Sequence, residues 1–306
     1  MEVLDGSQDK GWGIPAHLWL YGGWQEIGKE EGNMEAYTSF ARVYDMFMDN
    51  IPYQEWCRYL TEVLAQYKIC DGLILDLGCG TGSMTELLAR EGYDMIGVDN
   101  SPEMLEIAME KQQASGLDIL YLMQDMEEFE LYGTVRAVIS VCDSFNYLPD
   151  YEALLQTFRQ INNYLDPGGI LIFDLNTEYK YRVVLADKTI AENRLEGSFI
   201  WDNYFDEESR INEYELALFI PENEGGYKEA YPGGQPYRKY QETHYQRAFS
   251  LEEVFSAIKE SGMELLGCYE AFTKDAPKPD SQRVSVIAKE KGKSGNEKET
   301  DCNGKF

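Results

Sequence analysis

Short apolar runs alternate with amphipathic stretches along most of the chain. Residues 73–77, 95–99, 119–123, 137–141 and 170–175 are nearly continuous apolar runs, which predict buried strands. Between them, 53–67, 81–91, 101–114 and 151–165 space their apolar residues three and four apart, which predicts helices; Leu154, Leu155, Phe158, Ile161 and Leu165 share one face. Ser101 and Pro102 suit the N-cap and first position of the third of these helices. Residues 36–50 place Phe40, Val43, Tyr44 and Phe47 on one helical face, and Pro52 ends that pattern. Strands alternating with helices predict a doubly wound, mostly parallel α/β sheet.

After the fifth run the period changes. Residues 198–204, 210–220 and 238–249 read as strands, separated by a polar turn at 206–209 and a Gly- and Pro-rich loop at 222–234. This predicts an antiparallel insertion of three or four strands over the sheet rim. Ser250 and Glu253 form a capping-box pattern opening a helix that Gly262 ends. Residues 263–272 and 283–289 then read as an antiparallel pair that closes the sheet. The expected fold is α/β: a seven-stranded, mostly parallel doubly wound sheet with an antiparallel last strand, plus an antiparallel β insertion after strand five. In this division 1–33 is a flexible extension or an aromatic arm, and 34–177 with 246–290 form the Rossmann-like core. Residues 178–245 are the insertion, covering substrate or making a homodimer contact, and 291–306 form a disordered polar tail.

The candidate chemistry centres on the first run. It carries one carboxylate, Asp76, and turns through Gly78-Cys79-Gly80-Thr81-Gly82 into a helix. Glycines there let backbone N–H groups approach a ligand. A dinucleotide turn reads G-x-G-x-x-G, whereas here Ser83 stands where the third glycine would fall. Asp76, two residues before the first glycine, would repel a pyrophosphate and suit an ammonium. Asp99 ends the second run, near the distance at which an acid reads ribose hydroxyls. The ligand expected has a ribose, an ammonium and no phosphates, and the spacing disfavours an NAD-dependent oxidoreductase.

At 306 residues and 43% hydrophobic, the chain can bury a large core. The formal net charge of −28 argues against a broad phosphate-binding face, and so against nucleic-acid partners. Six cysteines without C-x-x-C pairs read as reduced thiols, and two histidines, His17 and His244, supply no His-rich metal site. No stretch has the length of a membrane span and the N-terminus lacks a secretory pattern, so a cytoplasmic protein is expected.

Four motifs in order resemble the class I S-adenosylmethionine-dependent methyltransferases: Asp76 to Gly82, Gly97 to Ser101, Gln124-Asp125-Met126, and Leu165 to Gly169. The likeness covers roughly residues 35–290. The resemblance implies S-adenosylmethionine as cofactor, bound through Asp76, Gly78, Cys79, Gly80, Gly82, Asp99 and Asn100. It implies that Asp125 accepts from the adenine amino group with Met126 beside the ring. Residues 36–45 are similar to the N-terminal lid helix of small-molecule methyltransferases, from which a tyrosine (Tyr37 or Tyr44) reaches cofactor or substrate. Core packing is the alternative for both.

The end of strand four lies where open α/β sheets bind ligands. Cys142 is expected to line the cofactor pocket, and Phe145, Asn146 and Tyr147 either face the acceptor or fix the loop. Asp174, Asn176 and Glu178 return to the same rim, where the acids suit a cationic amine. Tyr179, Tyr204 and Arg247 are further substrate-contact candidates. His244 is the candidate general base, since imidazole titrates near neutrality; methyltransferases with such an insertion, aminosugar N-methyltransferases among them, place a histidine here. The expected activity is in-line methyl transfer to a small-molecule N- or O-nucleophile. RNA or protein methylation and a non-catalytic binding module are the alternatives.

Overall fold

A computed structural model describes Asp45 and residues 51–194, 196–222 and 236–294. Helix α1 (Tyr53–Gln66) precedes β1 (Leu73–Leu77), α2 (Ser83–Arg90), β2 (Asp94–Asp99), α3 (Pro102–Ser115) and β3 (Ile119–Met123). Then come β4 (Val135–Ser140), a one-turn 3-10 helix (Ser144–Tyr147), α4 (Tyr151–Tyr164) and β5 (Leu165–Asn176). The main sheet runs β10-β11-β5-β4-β1-β2-β3, where β10 is Met263–Glu270 and β11 is Arg283–Glu290. Pairings from β3 through β5 are parallel, and β11 lies antiparallel to both β5 and β10. Strand order therefore reverses between β1 and β4, which puts the crevice at their carboxyl ends.

Both sheet faces are covered, as continuous apolar strands require. Leu75, Leu77, Val138, Phe158 and Phe173 pack on the side of α4 and α5 (Leu251–Glu260). Leu60, Leu64, Ile74, Leu88 and Ile139 pack on the side of α1 and α2. Alternation along β1 turns Asp76 to the second side, beneath Thr85 of α2. The strand expected over 170–175 begins earlier, and β5 already includes the motif 165–169: Leu165 pairs with Val135, and Asp166 accepts from the Thr134 hydroxyl.

The insertion is a separate antiparallel sheet, β6 (Thr189–Asn193), β7 (Ser198–Asp206), β8 (Ile211–Pro221) and β9 (Tyr237–Arg247), in that order. A π-helical turn, Lys180–Leu185, leads into it. There the fully buried Tyr181 stacks on Phe205 and donates to the Gln246 amide oxygen at 3.1 Å, which bolts the insertion to the rim. At its other end Leu218 is buried with Met104 of α3 packed against it, so the sheet spans the crevice from the β5 side to α3.

Cys57, Cys79, Cys142 and Cys268 are free thiols, but Cys70 is disulfide-bonded, a correction to the all-thiol expectation. Among the described residues no helix is long and apolar enough to cross a membrane, and no His/Cys/Asp/Glu group could hold a metal.

Candidate active site

The glycine turn closes over the end of β2. Gly78 and Cys79 both donate to the Val98 carbonyl, at 2.8 and 3.0 Å. Gly78, Gly80 and Gly82 all have positive φ, but their surroundings differ. A Cβ on Gly78 would lie 2.8 Å from Ser144, and one on Gly82 would lie 2.3 Å from the Tyr121 hydroxyl. A Cβ on Gly80 would meet nothing within 4 Å, so this glycine faces open space, as a ligand cradle requires. The Gly80 N–H donates to Asp99 Oδ2 at 2.8 Å, and Ser101 N–H donates to Oδ1 at 2.9 Å. Burial raises the Asp99 pKa above the usual carboxylate range, against these hydrogen bonds.

Asp76 is fully buried. Thr85 donates to its Oδ2 at 2.6 Å, while Oδ1 has no partner. Burial pushes its carboxyl up to about 7; Thr85 opposes this and the Asp99 charge adds to it. An orphaned buried carboxylate oxygen is costly, and an ammonium or its hydration water would satisfy it. Asn100 donates to Asp125 at 3.4 Å, Asp125 accepts from Glu127 N–H at 2.9 Å, and the Met126 methyl lies against Gly78. These residues thus line one continuous edge of the crevice.

Two contacts were missed by sequence reasoning. Thr81 donates to Asp45 Oδ1 at 2.6 Å, and Lys111 bridges Asp45 Oδ2 at 2.5 Å to the Thr81 and Ser83 hydroxyls. They clasp Asp45 onto the glycine turn. Tyr37 and Tyr44 lie outside the described residues.

Beyond β4 the chain is strained: Cys142 and Asp143 adopt φ of +63° and +54°, a conformation uncommon for residues with a Cβ. The strain is held by charge. Arg283 binds Asp143 at 2.5 Å and also Asp174, with its guanidinium 5.6 Å from the Trp56 ring centre. Gln246 donates to the other Asp143 oxygen at 2.7 Å. The Cys142 thiol meets the Tyr53 hydroxyl at 3.8 Å, which makes Tyr53 a crevice residue that its helix-start position did not reveal.

Several candidates fall elsewhere. Phe145 is buried in the core between Phe158 and Phe173, not facing an acceptor. Asn146 is also buried: its amide donates to the Asn176 and Arg247 carbonyls and accepts from Asn176 N–H, so it ties β5 to β9. Asp174 pairs with Arg283 through one oxygen while the other has no partner among the described residues, and Glu178 pairs with Arg182 at 3.3 Å on the surface. Asn176 is buried and accepts from Lys180 at 2.8 Å. Arg247 pairs weakly with Glu253, at 3.8 Å. Tyr179 borders a different cavity of about 250 Å³, with Leu175, Phe249, Lys278 and Pro279. Tyr204 pairs with Glu213 and alternates with the buried Asn203 and Phe205, which turns it to the outer face of the insertion.

The inner face carries His244. It pairs across the ladder with Tyr214 and stacks on it at 4.7 Å, and Trp201 packs against Tyr214 in turn. Tyr147 reaches up from the main sheet's rim to meet this group.

A glycine turn open at Gly80, flanked by the buried Asp76 and the half-buried Asp99 at the switch point of a seven-stranded sheet, fits a Rossmann-like S-adenosylmethionine-dependent methyltransferase. Residues 74–169 match the family model described as a methyltransferase domain. The chain is 34% identical over 249 residues to a Bacillus subtilis (strain 168) protein named "Putative methyltransferase YqeM", covering 81% of this chain and 94% of that one. It superposes on an S-adenosylmethionine-dependent methyltransferase from Clostridium acetobutylicum with a TM-score of 0.74 and 26% identity, over 84% of this chain and all of that one. It shares its fold with the sugar N-methyltransferase KedS8 from Streptoalloteichus, with a TM-score of 0.63 at 19% identity, over 87% of this chain and 97% of the other. The chain belongs to the S-adenosylmethionine-dependent methyltransferase family.

Proposed function

We propose that this chain transfers a methyl group to an N- or O-nucleophile of a small-molecule acceptor held between the glycine turn and the insertion sheet. The observation that carries this reading is the roof: an aromatic inner face with Trp201, Tyr214 and His244 above Tyr147, with Leu218 packed on α3 at the far side. An aromatic roof over the crevice favours a compact acceptor that it can cover. The strong negative charge further disfavours RNA.

S-adenosylmethionine supplies a methyl already activated on a sulfonium. Gly80 and Asp99 would hold its nucleoside part, Asp76 its ammonium, and Asp125 with Met126 its base. The protein's remaining task is to align the acceptor and exclude water, which in favourable cases is worth roughly 7–11 kcal/mol. The test supplies the purified chain with methyl-tritiated S-adenosylmethionine and either a small-molecule extract, bulk RNA or unfolded protein. Label should enter the small-molecule fraction; label entering only RNA or protein would replace this reading.

Cofactor affinity should depend on pH through Asp76. An ammonium favours the charged carboxylate, whose pKa stands at about 7 before binding. Affinity should therefore weaken as pH falls below that value, by up to about tenfold per unit for a single coupled proton. The stability of the ligand-free chain moves oppositely. A raised folded pKa contributes stability that is present at low pH and lost as pH rises through 7. Calorimetric titration of S-adenosylhomocysteine from pH 5.5 to 8.5 checks the first sign, and Asp76→Asn should flatten the profile.

A further inference from the structure

His244 is badly placed to touch an acceptor itself, because both of its ring nitrogens are engaged. Nε2 lies 3.0 Å from Glu242 Oε2, and Nδ1 lies 3.3 Å from the Tyr147 hydroxyl. One ring face is covered by Tyr214, stacked at 4.7 Å and 12°. The Glu242 and His244 side chains are only 8% and 19% exposed, whereas Tyr147 is 44% exposed. Tyr147 is therefore the most exposed residue of the cluster.

For a neutral imidazole these partners allow one direction of proton flow. A carboxylate only accepts, so Nε2–H would donate to Glu242 and leave the Nδ1 lone pair for the Tyr147 O–H. With its proton given to Nδ1, the Tyr147 oxygen would accept from the Tyr214 O–H, 2.7 Å away. Of the phenol oxygen's two lone pairs, one would receive Tyr214 and the other meets no partner among the described residues. A 3.3 Å contact is long, as catalytic hydrogen bonds often are before substrate binds.

We infer that Tyr147 is the residue that receives the acceptor's proton, passing its own to His244, with Glu242 and Tyr214 as positioning residues. This rests on the methyl-transfer reading above and names the proton path for it. The acceptor X–H gives its proton to the Tyr147 oxygen while the phenolic proton moves to Nδ1. The lone pair on X forms the bond to the methyl carbon as the C–S bond breaks toward sulfur. The positive charge ends on the His244 imidazolium, beside the Glu242 carboxylate, and Tyr147 is restored as a phenol. Burial raises the Tyr147 pKa above the usual phenol value, and the Asp143, Glu242 and Asp99 carboxylates add to this while the Tyr214 hydrogen bond opposes it, so the phenol is kept protonated at rest.

The chain has only two histidines, so ¹⁵N-histidine labelling gives a spectrum simple enough to decide this. The full chain saturated with S-adenosylhomocysteine should show one histidine, lost in His244→Gln, as the Nε2–H tautomer with a hydrogen-bonded Nδ1. Tyr147→Phe should shift that Nδ1 resonance toward the free value and leave Nε2–H in place. Glu242→Leu should admit the second tautomer. An Nδ1–H tautomer in the wild type, or an Nδ1 resonance unmoved by Tyr147→Phe, overturns the relay. In the tritium assay Tyr147→Phe should lose about a hundredfold or more in rate with S-adenosylhomocysteine affinity unchanged. Transfer retained by Tyr147→Phe but abolished by His244→Gln would make His244 the direct base and also overturn it. A wild-type chain that labels nothing in the extract would count against the small-molecule reading, while the spectrum still decides the relay.

Discussion

Replacing Asp99 with alanine is expected to lower the affinity for S-adenosylmethionine and S-adenosylhomocysteine by about a hundredfold or more. The carboxylate accepts from Gly80 N–H at 2.8 Å and Ser101 N–H at 2.9 Å, and so joins the glycine turn to the start of α3. Hydrogen bonds to a charged group contribute about 1.5–3 kcal/mol each. Losing two would let the turn leave its binding conformation, and about 2.7 kcal/mol already corresponds to a hundredfold. The variant also removes the acid that would receive the ribose hydroxyls. Calorimetric titration of wild type and variant measures this directly, and a dissociation constant within threefold of wild type would contradict the assignment. Asp99→Asn, which keeps one acceptor oxygen and loses the charge, should fall between the two.

What the sequence revealed and what it hid divides along contact range. The glycine turn and Asp99 were legible because each sits at a fixed offset from an apolar run. The insertion was legible as alternation, although β6, five residues that are mostly polar and exposed, carries too little pattern to mark itself. The Asp143–Arg283–Asp174 triad was invisible: its pairs lie 140 and 109 residues apart, and no local motif links them. The same holds for Asn146, whose partners at Asn176 and Arg247 come from two other strands. Phe145 and Tyr147 show a different limit. They are two residues apart in one 3-10 turn, which at three residues per turn points them about 120° apart. One fills the core and the other enters the cleft, a distinction that composition alone does not make. Tyr204 was misplaced for a related reason. In a strand a shift of one residue reverses the face, and only the observed register puts His244 inside and Tyr204 outside.

Arg283→Met should cost about 3–5 kcal/mol of stability, because it leaves the buried Asp174 and the half-buried Asp143 without their cation. Asp174 is 1% exposed, and burial already raises its pKa against the pull of Arg283; one of its oxygens has no partner even in the wild type. Methionine keeps most of the side-chain length over Trp56, so the loss reflects charge more than packing. The deficit should be read as a lower urea midpoint with an unchanged slope. Without the guanidinium, the folded-state pKa of Asp174 rises further above its unfolded value. Stability linked to it is then present at low pH and lost as pH rises, so the variant's deficit should shrink between pH 8 and pH 5. Adding Asp174→Asn to Arg283→Met should recover part of the loss at pH 8, since it removes the most buried of the stranded charges. The strained Cys142–Asp143 turn is held through the same guanidinium. The single variant should therefore lose methyl transfer at temperatures where it remains folded, whereas a simple packing defect would leave the activity of the folded fraction intact.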